Sequence, residues 1–339
     1  MSKLGTGPLG RLAITLPSPF HDARACVELA RRAEQEWGYE AIWMAETSGP
    51  DSFALAGAMA WATRTIEIGT AIVPVYNRTP AVLAMGAGTL AQLSGERFVL
   101  GLGSSSHAII GDWNGIPFEA PLGHVRESVA IVRQALAGKR TDFEGKHFRS
   151  QGLRLGSTPR KPLRIYLAAL REQMLRLAGA IGEGLIINFQ PASAMPQILA
   201  AYRAGGAAVG RDASRDEVVC RFQVCLTNDR AKARGLVRLG FGAYLAAPVY
   251  NAYLAWCGFP DEARAIREAF ARRDREKVAA AIPDALIDRI AILGSEDECS
   301  EQLAGFVKAG VTTPVLAPLA TSPQEAERIF ACFAPARQR

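Results

Sequence analysis

Ile66-Glu-Ile-Gly-Thr-Ala-Ile-Val-Pro-Val-Tyr-Asn-Arg-Thr-Pro80, followed by the apolar run Phe98-Val-Leu-Gly-Leu-Gly-Ser-Ser-Ser106, is the stretch that decides the fold. β-Branched residues dominate 66–75 and Pro74 has no amide to give a ladder, so a strand is expected to close there. Thr79 suits an N-cap and Pro80 a first helical position, and Val82, Leu83, Gly86, Leu90 and Leu93 recur at helical spacing. Strand, polar loop, helix and strand therefore follow in order. Gly101 and Gly103 on the second strand leave room for a ligand or a neighbouring backbone.

The same unit repeats along the chain. Strands are expected at 12–17, 41–46, 66–75, 98–104, 163–169, 184–190, 218–227 and 313–319. Helical patterns separate them at 22–37, 52–63, 80–93, 122–137, 172–181, 193–208, within 229–310, and at 323–333. Strands alternating with helices in this way predict an α/β fold, a (β/α)8 TIM barrel, with a doubly wound open sheet as the alternative. Ser295-x-x-Glu298 and Ser322-x-x-Glu325 have the spacing of capping boxes, and Gly38 that of a helix stop. Within 122–137, Val125, Val129, Val132 and Leu136 form one core-facing stripe.

With 339 residues and 49% hydrophobic content the chain can bury a full core as one domain over 1–339. Such barrels run to about 250 residues before insertions. The surplus is expected at 140–162, a short hairpin, and at 229–310, too long to be one helix. No run approaches the roughly 20 apolar residues that cross a bilayer, and the N-terminus lacks an export pattern, so a cytoplasmic protein without a membrane partner is expected. The six cysteines have neither metal nor redox spacing, which predicts buried reduced thiols and no metal. The net charge of +6 comes from Lys and Arg mixed with acids, as over 262–277, with no basic run interleaved with aromatics. That pattern excludes a nucleic-acid partner and fits an anionic small molecule steered to a barrel mouth.

Position and parity single out further residues. Glu46 ends the second strand and so stands at the mouth, either as a catalytic group or as a helix-capping acid. His107, after the serine run, is a second catalytic candidate, with a surface role as the alternative. On the seventh strand Val218, Cys220, Phe222, Val224 and Leu226 form an apolar face, leaving Arg221, Gln223 and Thr227 on the other. Asn188 and Gln190 likewise share a face. Polar groups directed into a barrel need partners, from a cofactor or from an internal network, and for Arg221 the network is the preferred reading.

The run Gly69-Thr-Ala-Ile-Val-Pro-Val-Tyr-Asn-Arg-Thr-Pro-Ala-Val-Leu83 with Leu90-Ala-Gln-Leu-Ser-Gly-Glu-Arg-Phe-Val-Leu-Gly-Leu-Gly103 resembles the luciferase-like monooxygenase superfamily. Ala41-Ile-Trp-Met-Ala-Glu46, Gly179-Ala-Ile-Gly-Glu-Gly184, Gly294-Ser-Glu-Asp-Glu-Cys299 and Ala309-Gly-Val-Thr-Thr-Pro314 extend the likeness, in particular to its coenzyme F420-dependent branch. The resemblance implies a bacterial luciferase-like TIM barrel and an oxidoreductase that moves hydride between the deazaflavin and an organic small molecule. The alternatives are an FMN-dependent monooxygenase and a catalytically silent flavin-binding barrel. It implies a non-prolyl cis bond at Ala71-Ile72, with Thr70 to Val73 supporting one face of the ring. Glu46, Gly103, Ser104, Ser105, Ser106 and Asn188 would line the cofactor, and Ala169, Leu170 and Arg171, with Gly182, would hold its phosphate at a helix start. The aromatic region 240–259 is expected to cover the substrate, with Tyr244, Tyr250 and Tyr253 facing it; core packing is the alternative. A homodimer is the family expectation. Two departures stand out. Thr47 occupies a position where relatives often have histidine, and Ser106 one where sugar dehydrogenases of this type place an acid.

Overall fold

The computed structural model describes residues 8–337. Eight parallel strands, β1 (Ala13–Leu16), β2 (Ala41–Met44), β3 (Glu67–Thr70), β4 (Phe98–Gly103), β5 (Ile165–Ala168), β6 (Gly184–Asn188), β7 (Glu217–Leu226) and β8 (Thr313–Pro318), pair in sequence order. β6 pairs with β7, β7 with β8 and β8 with β1, so the sheet closes and the open-sheet alternative falls away. The expected single strand at 66–75 is two pieces: β3 stops at Thr70, and Val73–Pro74 then pairs with Leu102 and Gly103 of β4.

Alternation along the strands divides the buried side chains between two cores. Ala13, Ala41, Trp43, Val99, Tyr166, Ile186, Val219 and Val315 fill the cylinder. Its two largest rings, Trp43 and Tyr166, stack with centroids 5.6 Å apart. Each lies against a glycine, because a Cβ on Gly69 would come within 2.4 Å of the Trp43 ring and one on Gly184 within 2.6 Å of the Tyr166 ring. The other face of each strand meets the helices through Ile14, Ile42, Ile68, Leu100, Leu167, Leu185, Cys220 and Phe222.

The helices between strands are α1 (Ala23–Gln35), α2 (Ser52–Ala62), α3 (Pro80–Leu93), α4 (Pro121–Leu136), α5 (Glu172–Ile181) and α6 (Met195–Ala207). Asp22, Asp51 and Thr79 cap the first three through side-chain oxygens. Region 229–310 folds as α7 (Arg230–Ala246), α8 (Pro248–Trp256), α9 (Pro260–Ala271), α10 (Arg275–Ala280), α11 (Asp284–Ile290), a short strand at Ile292–Gly294 pairing with the end of β7, and α12 (Glu296–Lys308). α13 (Pro323–Cys332) follows β8. The Ser295 capping box on α12 has both arms, whereas on α13 Ser322 accepts from Glu325 but the Glu325 carboxylate turns to the amide and hydroxyl of Thr321. The hairpin Asp142–Glu144 with Arg149–Gln151 forms in the first insertion, where the rings of Tyr76, His124 and His147 stack in a column at 4.3 Å spacing.

The N-terminal end of the barrel is closed by charge. Arg11 pairs with Glu67 at 3.0 Å and with Glu217 at 2.9 Å, Tyr166 donates to Glu217 at 2.8 Å, and Arg164 and Thr313 complete the cluster. All six cysteines are free, and five are buried. Among the described residues no helix is long and apolar enough to cross a membrane, and no cluster of His, Cys, Asp and Glu could hold a metal.

Candidate active site

With the bottom plugged and Trp43 over Tyr166 filling the middle, the C-terminal mouth is the open end, the end at which barrels of this kind carry their chemistry. One wall is apolar. Ala71, Ile72 and Ala168 pack on the barrel interior, and a Cβ on Gly103 would sit 3.0 Å from Ile72 and 3.1 Å from Ala168. The shelf closes because Gly103 carries no side chain. The Ala71–Ile72 peptide is cis, as the resemblance implies, and its flanks bond to the chain leaving β2: the Ala71 amide donates to Met44 O and the Glu46 amide to Ile72 O. Val73 is buried in the outer core, so only its backbone borders the mouth. The Thr70 hydroxyl is committed to the backbone of Gly101, to which it donates at 2.8 Å and from which it accepts at 2.9 Å. Thr70 thus supports the shelf from behind.

Glu46 lies at the rim, tied to neighbours on both oxygens. One pairs with Arg78, and the other accepts from the Ser52 amide at 3.3 Å at the start of α2. Arg78 also pairs with Asp51 and lies 5.1 Å over the Phe53 ring. Glu46 thus stands at the mouth and at the same time accepts from a helix N-terminus, as a helix-capping acid does. Arg78, which orients it, was missed from sequence; its signal was a lone cation in the loop Tyr76-Asn-Arg-Thr79 facing two acids at the next strand end.

Ser104 and Ser105 are half-buried at the end of β4, and neither hydroxyl has a partner among the described residues. Ser106 instead accepts from the Ile109 amide at 3.4 Å, in the π-helical turn Ala108–Trp113 that follows it. His107, directly after the serines, is 69% exposed, pairs with Asp112 at 3.5 Å and packs on Gly111.

At the end of β5 the Ala169 amide is already spent on Ile186 O, and Leu170 is half-buried against the core. Arg171 is exposed at the N-cap of α5, and no side chain caps that helix, so its first-turn amides face outward. Gly182 is a correction: it ends α5, its amide donates to Ala178 O, and it precedes β6 at the opposite end of the barrel.

Across the mouth, Asn188 of β6 is the register partner of Arg221 on β7 and donates to the Tyr250 hydroxyl at 3.4 Å. Tyr250 and Tyr244 meet edge to face at 5.5 Å, and both approach Phe189, so the start of α8 and the end of α7 lay an aromatic wall over this side. Burial pushes the Tyr250 phenol up, while the hydrogen bond from Asn188 opposes it. Tyr253 is a second correction. It is fully buried and stacked on Trp256, and burial with nearby Cys257 holds its phenol well above the usual range, so core packing is the reading realised there.

The luciferase-like monooxygenase family matches residues 6–313 of the chain. The 5,10-methylenetetrahydromethanopterin reductase of Archaeoglobus fulgidus is 31% identical over 302 residues, covering 87% of this chain and 89% of that protein. The F420-dependent glucose-6-phosphate dehydrogenase of Rhodococcus erythropolis is 27% identical over 307 residues, covering 85% and 86%. The solved structure of coenzyme F420-dependent tetrahydromethanopterin reductase from Methanopyrus kandleri superposes with a TM-score of 0.81 at 22% identity, over 96% of this chain and 97% of that one. An F420-dependent secondary alcohol dehydrogenase gives 0.80 at 19% identity, over 96% and 98%. At these identities the two structures speak for the fold alone.

Proposed function

This chain belongs to the luciferase-like monooxygenase family, and from that premise we propose that it is a coenzyme F420-dependent oxidoreductase acting on an organic small molecule. The observation that carries the reading is the shelf of Ala71, Ile72, Gly103 and Ala168 beside an uncapped α5, an apolar surface for a ring next to free amides for a phosphate. When bound, the deazaflavin supplies the hydride chemistry.

The chain's own residues bind, orient and exclude water. In this reading the shelf supports one face of the ring, Ser104 and Ser105 hydrogen-bond its polar edge, and the first turn of α5 with Arg171 holds the phosphate. Glu46, oriented by Arg78, offers a carboxylate oxygen to the ring edge or to a substrate hydroxyl. The aromatic wall of Phe189, Tyr244 and Tyr250 keeps the opposite side dry. The free cysteines fit a reducing cytoplasm.

A homodimer belongs to the same reading. Trp61 on α2 is 82% exposed and Met85 on α3 56% exposed, and the two helices are apolar nearly all round, as elements covered on both sides are.

Titration with F420 and with FMN, read by cofactor fluorescence, tests the proposal. Micromolar F420 binding and F420 turnover with an alcohol, a sugar phosphate or a reduced-pterin substrate support it. Tight FMN binding with oxygen consumption replaces it by the monooxygenase reading, and cofactor binding without turnover on any substrate leaves a silent flavin-binding barrel.

A further inference from the structure

Two donors on one face of β7 have nothing to donate to. Arg221 and Gln223 sit two residues apart, so both point inward on the side of Val219, one step and two steps nearer the rim. Arg221 Nε and Gln223 Nε2 are enclosed without a hydrogen-bond partner, and Gln223 is only 3% exposed. Among the described residues no carboxylate lies within ion-pair distance of Arg221, whereas Arg11, Arg78, Arg164, Arg211 and Arg234 each hold at least one. Burial disfavours its charge, and neutral groups surround it: Asn188 is beside it and the phenols of Tyr244 and Tyr250 are close by. A guanidinium does not shed its proton near neutrality, and a buried charge without a counter-ion is unfavourable. Among the described residues, the internal network expected from the sequence does not form at Arg221.

Placement says what completes the pair. In the closed sheet β7 is four strands from β3 in either direction, so Arg221 faces the Ile72–Gly103 shelf from across the mouth. A ring lying on that shelf leaves the space in front of Arg221 for the substrate. We propose that the substrate is an organic oxyanion, a carboxylate or phosphate on a flat apolar body, gripped by Arg221 and Gln223 beneath the aromatic wall of Phe189, Tyr244 and Tyr250. The planar fork of Arg221 suits two-pronged contact with such a group. The assignment rests on the cofactor occupying the β3 side.

Calorimetric titration of F420-loaded and cofactor-free enzyme with benzoate, phenyl phosphate and neutral benzamide tests it, in wild type, Arg221→Lys and Arg221→Gln. Wild type is expected to bind at least one anion about tenfold more tightly than benzamide, and Arg221→Gln to lose about tenfold in that anion while benzamide and F420 affinities stay within about twofold. Arg221→Lys is expected to retain part of the preference. Benzoate against phenyl phosphate separates carboxylate from phosphate. Because Arg221→Gln removes an unpaired, half-buried charge, its melting temperature is expected to equal or exceed that of wild type, where loss of a structural network residue lowers it. Equal anion affinities in wild type and Arg221→Gln overturn the proposal, as does a wild type without anion preference or a loss of F420 affinity matching the loss of anion affinity. Failure of wild type to bind F420 overturns the functional reading instead, and the cofactor-free titrations then still decide the role of Arg221.

Discussion

Thr70 and Gly101 clasp β3 to β4 at the point where their ladder ends. Register pairing stops at Gly69 with Val99, and beyond it the Thr70 hydroxyl donates to Gly101 O at 2.8 Å and accepts from Gly101 N at 2.9 Å. A Cβ on Gly101 would lie 1.7 Å from Thr70 O, against backbone that has no room to give. Thr70→Val strands both Gly101 groups in a buried site and is expected to cost about 2–4 kcal/mol in urea unfolding. Gly101→Ala is expected to cost more than about 4 kcal/mol or to prevent soluble expression. A Gly101→Ala protein as stable as wild type would rule out this approach of the two strands.

Arg11 at the far end of the barrel neutralises Glu67 and Glu217 together, and both Arg11 and Glu217 are 6% exposed. Arg11→Met leaves the buried Glu217 carboxylate without its cation, while Glu67 keeps Arg164, and is expected to cost about 3–5 kcal/mol. Adding Glu217→Gln is expected to restore part of that loss, measured by urea midpoints of the single and double variants. F420 affinity should not move, because the cluster and the mouth are at opposite ends.

Glu34 ties α1 to the turn before β3, accepting from the amides of Arg64, Thr65 and Ile66 and from the Thr65 hydroxyl. Burial raises its pKa, but these hydrogen bonds outweigh burial and the net value falls below the ordinary 4.5. A carboxyl depressed in the folded state adds stability that is present above its unfolded pKa and is lost as pH falls through its folded pKa. Glu34→Gln is therefore expected to be about 1–2 kcal/mol less stable than wild type at neutral pH, a figure discounted for solvent exposure, with the difference closing below about pH 4. Urea midpoints of both proteins across that range check it, and a difference independent of pH would show that the charge is not the cause.

Trp61 and Met85 offer the apolar face on which the dimer proposal stands. Trp61→Asp with Met85→Lys is expected to halve the sedimenting mass without changing the circular dichroism spectrum. A wild-type protein that already sediments as a monomer would remove the proposal.

Strand and helix order was legible from 66–106 and its repeats because local rules govern it. Proline and glycine punctuation, N-cap chemistry and the switch from two-residue to helical periodicity are all short-range signals, and they placed the elements to within a few residues. Rim residues such as Glu46, Gly103 and Ser104 were reachable too, since in a parallel barrel the C-terminal end of a strand is the mouth. Gly182 and Tyr253 were misplaced because position along the chain says nothing of which barrel end a helix terminus reaches, or whether a tyrosine on a covering helix turns toward the mouth or the core.

Arg221 marks the division most clearly. Parity along β7 fixed which way it points, a property of one strand alone. Whether an acid waits there depends on residues from β6, α7 and α8, brought beside it by closure of the sheet. The sequence by itself determined the alternation of strands and helices, the strand ends that carry the site and the inward direction of this guanidinium, while closure of the sheet was left to the fold. Only the tertiary structure decided that Arg11 is matched by three carboxylates and Arg221, among the described residues, by none, because charge pairing is settled between segments that the chain does not place side by side until it folds.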